Sequence, residues 1–234
     1  MDTPRRLVVG DVHGAYKALL ECFENASFDY EKDLLICLGD VCDGWPQIRE
    51  TIDELLKVKN LIYIFGNHDM WTLEWFKRKK IPGIWKKQGG KATMASYKDD
   101  IPEEHIQFLK DAKMYHVLEN KMFVHGGFIP DMSIEKQDEN EFLWDRTLVN
   151  SAMHLKKMNP DLKVTEYDEV YVGHTPTITF NSSIPINACG VWLMDTGAGW
   201  PKGVLSMMDI DTKELFQSGP VDKMYPGVKS RHSK

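Results

Sequence analysis

The stretch Leu7-Val8-Val9-Gly10-Asp11-Val12-His13-Gly14 decides how the fold is interpreted, because an apolar run stops abruptly at glycine, aspartate and histidine. The same arrangement recurs along the chain. The later runs and clusters are Leu34–Leu38 before Gly39–Gly44, Leu61–Phe65 before Gly66–Asp69, Met122–Val124 before His125–Gly127, Val170–Val172 before Gly173–Thr175, and Val191–Met194 before Asp195–Gly197. Short apolar runs bounded by glycine are typical of strands buried on both faces.

Between the first three runs, apolar residues recur at helical spacing. They are Ala18, Leu19, Cys22 and Phe23 in one segment and Ile48, Ile52, Leu55 and Leu56 in the next. Alternating strands and helices predict an α/β fold with a largely parallel sheet in the first half, and Val204–Ile210 is predicted as a further strand. Ligands of such sheets bind beyond the carboxyl ends of the strands, where the polar clusters fall. We expect a single domain over residues 1–234, with helical insertions at about 71–120 and 128–168.

Composition excludes several classes of protein. The chain has 234 residues, 42% of them hydrophobic, and a formal net charge of -6. It can therefore enclose a core, and its acidic balance gives no strong nucleic-acid-binding signal. No apolar run approaches the roughly 20 residues that span a bilayer, so no membrane association is expected. The four cysteines form no CxxC pair, which favours reduced thiols and a cytoplasmic location.

The strand ends supply oxygen and imidazole ligands without thiolates. The six candidate metal-binding residues are Asp11, His13, Asp40, Asn67, His125 and His174. This mixture suits Mn, Fe or Zn ions, and one aspartate can bridge two ions. Two ions about 3.5–4 Å apart can activate water and polarise a phosphoryl group. A single Gly-Asp is common turn chemistry, but five such clusters in order favour a metal site.

These residues resemble a known family. The ordered motifs GDVHG, GDVCDG, GNHD, VHGG and GHT are similar to the calcineurin-like metallophosphoesterases of the phosphoprotein phosphatase superfamily, especially the bacterial and phage serine/threonine phosphatase branch. The resemblance runs from Gly10 to about Asp209 and includes Phe142–Arg146 and Met194–Ala198. It implies two mixed β-sheets packed as a sandwich and flanked by helices.

The resemblance also implies a role for each ligand. Asp11 and His13 would bind the first metal ion and Asp40 would bridge both ions. The second ion would be bound by Asn67, His125 and His174. We expect two divalent ions, Mn²⁺ before Fe or Zn.

The same comparison assigns the catalytic and phosphate-binding residues. His68 is similar to the family's general acid, with Asp43 as its carboxylate partner, while Asn67 and Arg146 would contact the substrate phosphate. The family usually has an arginine where this chain has Gly44, which leaves Arg146 as the guanidinium candidate. Asp69 replaces a glutamate of many protein phosphatases and is more like the dinucleoside tetraphosphatases.

Three functions remain open from the sequence. The leading hypothesis is a phosphatase that hydrolyses phosphomonoesters, such as phosphoserine and phosphothreonine, by in-line attack of a hydroxide held between the ions. The alternative is a nucleotide phosphohydrolase, similar to symmetrical dinucleoside tetraphosphatases or to RNA-end phosphatases. A third is a non-catalytic metal-binding scaffold. Trp71, Trp75 and Trp85 could stack on a nucleobase, but a role in the core is favoured for most tryptophans.

Overall fold

A computed structural model describes residues 4–78, 83–98 and 100–228, and its strands form two five-stranded sheets. The first sheet has the order β10-β9-β1-β2-β3. Its strands are β1 (Arg6–Val9), β2 (Leu34–Cys37), β3 (Asn60–Tyr63), β9 (Ser206–Asp209) and β10 (Leu215–Gln217). Strands β1, β2 and β3 are parallel, β9 is antiparallel to β1, and β10 is antiparallel to β9. The sheet is therefore mixed.

The second sheet has the order β4-β5-β6-β8-β7. Its strands are β4 (Tyr115–Leu118), β5 (Lys121–Val124), β6 (Glu169–Val172), β7 (Ile186–Ala188) and β8 (Val191–Leu193). Strands β5, β6 and β8 are parallel, and the two edge strands are antiparallel to their neighbours. Parallel strands present their carboxyl ends at one edge, so this sheet also gathers the loops that follow its central strands.

The described helices cover the outer faces of the sheets. Their bounds are α1 (Tyr16–Asn25), α2 (Ile48–Leu55), α3 (Asn67–Arg78), α4 (Gly83–Trp85), α5 (Lys91–Tyr97), α6 (Glu103–Lys110), α7 (Glu139–Trp144), α8 (Thr147–Met158) and α9 (Val221–Met224). The predicted apolar face of α1 is buried throughout. In α2 the prediction was wrong at Leu56, which follows the last helical residue and is 44% exposed.

An apolar layer joins the two sheets face to face. It contains Val8 and Ile36 from the first sheet and Phe123 and Tyr171 from the second, whose rings stack with centroids 4.9 Å apart. Two further clusters lie between the sheets and the helices. The predicted sandwich of two mixed sheets flanked by helices is confirmed.

Three short strands were not anticipated. Strand β4 lies within the range 71–120 that the sequence assigned to a helical insertion, while β7 and β10 follow no long apolar run. Each is an edge strand of three or four residues, so each needs only one neighbour and little apolar character. Within the described ranges, every helix is too short or too polar to cross a bilayer.

Candidate metal centre and active site

Three of the predicted ligands converge at the ends of β1 and β2. Possible ligand atoms of Asp11, His13 and Asp40 all lie within 4.8 Å of one another, and all three residues are buried. The Nε2 atom of His13 is 3.9 Å from an oxygen of each carboxylate. The loops after these strands are tied together, because the backbone N–H of His13 donates to the Asp40 carbonyl at 2.8 Å.

A second group shares Asp40 with the first. Ligand atoms of Asp40, His125 and His174 also lie within 4.8 Å of one another. His125 Nε2 is 3.4 Å from Asp40 Oδ2 and 2.9 Å from Asn67 Oδ1. The second sheet supplies both histidines, from the ends of β5 and β6, so the two ligand groups meet where the two sheets adjoin. All six residues predicted as ligands are thus brought together.

Backbone carbonyls orient two of the imidazoles. His13 Nδ1 donates to the Cys42 carbonyl at 3.1 Å, and His125 Nδ1 donates to the Leu38 carbonyl at 2.8 Å. In the neutral ring such a bond fixes the tautomer and leaves Nε2 with the lone pair that a metal ion needs. His174 Nε2 is buried and has no hydrogen-bond partner among the described residues. A buried nitrogen of this kind suits a cation, so the donor set fits two divalent ions.

The electrostatics of the cluster also fit a cation. Burial and the neighbouring carboxylate of Asp195 raise the pKa of Asp11 well above its usual range. Burial would lower the pKa of His125, but the carboxylates of Asp40 and Asp11 raise it to about 10. Burial, together with the charges of His125 and Arg146, holds the pKa of His174 well below its ordinary value. Positive charge placed between the carboxylates would offset their mutual repulsion.

The site requires unusual backbone conformations. His13, Asp40, Asp43 and His174 all have positive φ, between 50° and 68°. Left-handed conformations are uncommon for residues with a side chain and concentrate at functional sites. A Cβ at Gly66 would lie 2.2 Å from Asp40 Oδ1. That glycine is therefore needed because the Asp40 carboxylate passes directly against its backbone.

His68 and Asp43 form the predicted pair. His68 Nδ1 is 2.6 Å from Asp43 Oδ2, and since a carboxylate only accepts, the imidazole donates. His68 lies in the first turn of α3, and its backbone N–H donates to Asp40 Oδ1 at 2.8 Å. The Asp43 carboxylate is fully buried and accepts two more hydrogen bonds, from Trp85 and Thr93. Neither of these residues was predicted to serve the site.

Asp69 organises the backbone beneath the centre. Its carboxylate accepts hydrogen bonds from the backbone N–H groups of Asp40 and Gly66 and from the Tyr63 hydroxyl, at 2.8, 3.0 and 2.6 Å. It also accepts one from the N–H of Cys42 at 3.3 Å. Asp69 thus ties the loop after β2 to the turn that begins α3.

A cleft of about 330 Å³ opens over the second ligand group. Its walls include Asp40, Asn67, His68 and His174 from the cluster, with Arg146, Trp71, Trp144 and Trp200 around them. A guanidinium N–H of Arg146 donates to the His174 carbonyl at 3.1 Å. Among the described residues lining the cleft, Arg146 is the only lysine or arginine. Trp75 and Trp85 are buried instead, as favoured for most tryptophans.

The position without an arginine has a structural explanation. Gly44 has φ of +94°, and a Cβ there would lie 3.0 Å from the His13 carbonyl oxygen. Its N–H donates to the carbonyl of Gly89 at 3.3 Å. A side chain at this position is therefore strained. Trp45 is buried, stacks on Tyr225 with centroids 5.2 Å apart and donates to the Ala198 carbonyl.

Two adjoining mixed sheets with a shared-aspartate ligand cluster at their edge define a metallophosphoesterase. The sequence matches the calcineurin-like phosphoesterase family over residues 4–211. The chain belongs to this family. The predicted class, a hydrolase of phosphoester bonds with divalent metal ions, is confirmed at the level of the family.

Individual relatives include two kinds of enzyme. The chain is 31% identical over 135 residues to a symmetrical bis(5'-nucleosyl)-tetraphosphatase of Pseudomonas fluorescens, covering 55% of this chain and 44% of that protein. It is 32% identical over 148 residues to serine/threonine-protein phosphatase 2 of Salmonella typhimurium, covering 59% of this chain and 66% of that protein. The chain spans about half the length of the tetraphosphatases it matches.

A solved structure of a serine/threonine phosphatase from Saccharomyces cerevisiae has the same fold. It superposes with a TM-score of 0.63 at 14% sequence identity, covering 97% of this chain and 83% of that chain. At this identity the likeness concerns the fold alone.

Proposed function

We propose that the chain hydrolyses phosphomonoesters, including phosphoserine and phosphothreonine, with two divalent metal ions of which Mn²⁺ is the first choice and Fe or Zn the alternatives. The observation that carries the proposal is the sharing of Asp40 by two buried groups of ligands. A carboxylate has two oxygens and can serve two ions at once. Asp11 and His13 complete one group, and Asn67, His125 and His174 complete the other.

The chain's own residues hold and orient the substrate. When bound, two such ions polarise the phosphoryl group and supply a nucleophilic oxygen from water. Arg146, at the mouth of the cleft, would offer its guanidinium to the phosphate oxygens, since its planar donors match two oxygens at once. Asn67 borders the same cleft and would contact the phosphate from the metal side.

His68 would protonate the leaving oxygen. Its Nδ1–H donates to Asp43, so Nε2 is the nitrogen that can pass a proton to the leaving group. An alkoxide is a poor leaving group, and a positioned proton donor contributes about 10²–10⁴-fold to the rate. The ring borders the cleft beside Trp71, with ring centroids 5.0 Å apart.

Metal content and turnover test the proposal together. Elemental analysis of Mn-loaded protein should give two ions per chain, and p-nitrophenyl phosphate and a phosphoserine peptide should be hydrolysed with Mn²⁺ but not with a chelator. One ion per chain would contradict the binuclear assignment. Two ions without turnover of any phosphoester would favour the metal-binding scaffold. Cytoplasmic location and a single domain stay predictions.

A second candidate is a nucleotide phosphohydrolase of the dinucleoside tetraphosphatase or RNA-end phosphatase kind. Trp71, Trp144 and Trp200 all border the cleft and are only partly buried. Trp71 and Trp144 contact each other with ring centroids 5.2 Å apart. Indole rings in a phosphate-binding cleft are suited to stacking on a base.

The substrate panel separates the two candidates. If the alternative holds, kcat/KM for diadenosine tetraphosphate or a 5'-triphosphorylated RNA end should exceed that for the phosphoserine peptide. Trp71→Leu should then lower kcat/KM for the nucleotide substrate by about tenfold, since stacking contributes roughly 1–3 kcal/mol per base. A preference for the phosphopeptide, with little effect of Trp71→Leu, supports the phosphomonoesterase.

A further inference from the structure

We propose that Trp85 and Thr93, which the segment 83–98 carries, are positioning residues for the general acid: they hold the Asp43 carboxylate and, through it, the ring of His68. The inference rests on the proposed function, because it takes His68 as the proton donor. It gives a purpose to part of the insertion predicted at about 71–120, which supplies none of the six predicted metal ligands.

Both oxygens of the Asp43 carboxylate accept hydrogen bonds. Oδ2 accepts hydrogen bonds from His68 Nδ1 at 2.6 Å and from Trp85 Nε1 at 2.7 Å, while Oδ1 accepts one from Thr93 Oγ1 at 2.5 Å. The backbone N–H of Asp43 donates to the same threonine oxygen at 3.0 Å. Asp43, Trp85 and Thr93 are all fully buried. Two of the three donors to this carboxylate therefore come from the insertion.

A buried carboxylate without hydrogen-bond donors is strongly destabilised, so Asp43 depends on Trp85 and Thr93 as well as on His68. Bonds to both oxygens also stop rotation about the last side-chain torsion, which is otherwise broad for aspartate. With the carboxylate plane fixed, Oδ2 stays directed at His68 Nδ1. Because proton transfer requires the donor within hydrogen-bond reach of the leaving oxygen, a small displacement of this ring would weaken acid catalysis.

The insertion is held firmly enough to act as a support. A Cβ at Gly90 would lie 2.4 Å from the Trp85 ring, so the chain packs directly against the indole. Near the carboxyl end of α5, Ser96 Oγ accepts from the backbone N–H of Arg49 at 3.1 Å. The Tyr97 hydroxyl lies 2.8 Å from His105 Nδ1. These contacts anchor α5 at the end away from Asp43.

A residue that merely fills the core would affect stability and all substrates alike. A positioning residue for the acid affects substrates that need protonation more than those that do not. Aryl esters such as p-nitrophenyl phosphate have good leaving groups and need little protonation, whereas alkyl phosphates need it. The ratio of the two activities therefore distinguishes the roles.

The experiment compares Thr93→Val, which removes the hydroxyl at similar volume, with Thr93→Ser, which keeps it. Each is measured as Mn-loaded protein on glycerol phosphate and p-nitrophenyl phosphate, beside Trp85→Phe and His68→Asn. Thr93→Val and Trp85→Phe should lose roughly tenfold on the alkyl ester, the usual effect of removing a bond to a charged group. The loss on the aryl ester should be much smaller. Thr93→Ser should be close to wild type, and all variants should keep two metal ions.

A second readout is independent of turnover. In the nitrogen-15 NMR spectrum of the protein labelled at histidine, the His68 Nδ1–H signal is assigned by its loss in His68→Asn. It should shift in Thr93→Val, return towards wild type in Thr93→Ser, and stay unchanged in Tyr97→Phe, which alters the far end of the same helix. If Trp85→Phe fails to fold, the threonine pair carries the test.

The outcomes are distinct. Equal losses on both esters in Thr93→Val, an unmoved His68 signal, or a Thr93→Ser variant as impaired as Thr93→Val would each overturn the inference while leaving His68 as the acid. If His68→Asn itself shows equal losses on alkyl and aryl esters, the acid assignment fails and the inference fails with it.

Discussion

The metal-ligand cluster lies beside a second group, the acid assembly, which consists of His68, Asp43, Trp85 and Thr93. The two groups are constructed differently. Each predicted ligand follows closely on the end of a strand, or begins the helix after it, so its position depends on a short stretch of chain. The acid assembly instead joins Asp43 to Trp85 and Thr93, which are 42 and 50 residues away. The first region depends on the sandwich of sheets, and the second depends on an inserted segment. Substitutions in the two should therefore fail in different ways.

The largest effect is expected at the shared ligand. Asp40→Asn keeps an oxygen that can accept the His68 backbone N–H, but it removes the negative charge that the two proposed ions would share. Metal ions contribute several kcal/mol to such reactions, so turnover should fall by about a thousandfold or more. The loss of turnover should be equal for alkyl and aryl esters. Metal content measured by elemental analysis should fall below two ions per chain.

The matched control is Asp131→Asn, which makes the same change at an exposed aspartate. It should keep two ions and wild-type turnover. Two ions and normal activity in Asp40→Asn would contradict the proposal that this carboxylate serves both ions.

The acid should give the next largest effect and a different signature. His68→Asn should keep both metal ions while lowering alkyl ester turnover by roughly 10²–10⁴-fold. The loss should shrink for p-nitrophenyl phosphate, whose leaving group is stable without a proton. A uniform loss accompanied by missing metal would place His68 with the ligands instead.

This contrast explains how much the sequence could predict. The convergence of Asp11, Asp40 and Asn67 could be predicted because each closely follows an apolar run, and parallel strands bring such ends to one edge. The edge strands β4 and β10 have no such pattern. For Trp85 the sequence left base stacking open and favoured a place in the core, where it lies. Nothing local to it indicates that its N–H reaches a buried carboxylate. Thr93 has no motif around it. A long-range hydrogen bond leaves no periodic trace in the sequence.

Arg146 belongs neither to the metal-ligand cluster nor to the acid assembly, since it precedes α8 and is exposed at the cleft. Arg146→Ala should lower kcat/KM by about tenfold to a hundredfold, the effect of losing a charge-assisted contact. Arg146→Lys keeps the charge without the paired donors and should recover only part of the loss. Kinetics of Arg146→Ala equal to wild type would show that another residue holds the phosphate.

Metal binding should depend on pH through His125. Burial lowers its pKa, but Asp40 and Asp11 raise it to about 10 in the metal-free chain, so the imidazole is protonated at pH 7. A metal ion needs the neutral ring, so binding releases this proton and Mn²⁺ affinity should rise up to about tenfold per pH unit between pH 6 and 8. Calorimetry in buffers of different ionisation enthalpy should record release of at least one proton. Affinity independent of pH would contradict the raised pKa.

The smallest effect is expected at the contact between Tyr97 and His105, which holds the end of α5 that lies away from Asp43. His105 Nε2 donates to Asp53 Oδ1 at 2.9 Å, so in the neutral ring Nδ1 accepts from the Tyr97 hydroxyl. Tyr97→Phe keeps the buried ring and leaves Nδ1 without this donor, which costs about 1–2 kcal/mol. The free energy of unfolding in urea should fall by that amount, and the melting temperature by a few degrees. Because the contact lies at the end of α5 away from Asp43, the ratio of alkyl to aryl ester turnover should not change. A changed ratio would mean that Asp43 is held by the helix as a whole and not by the two donors at its near end.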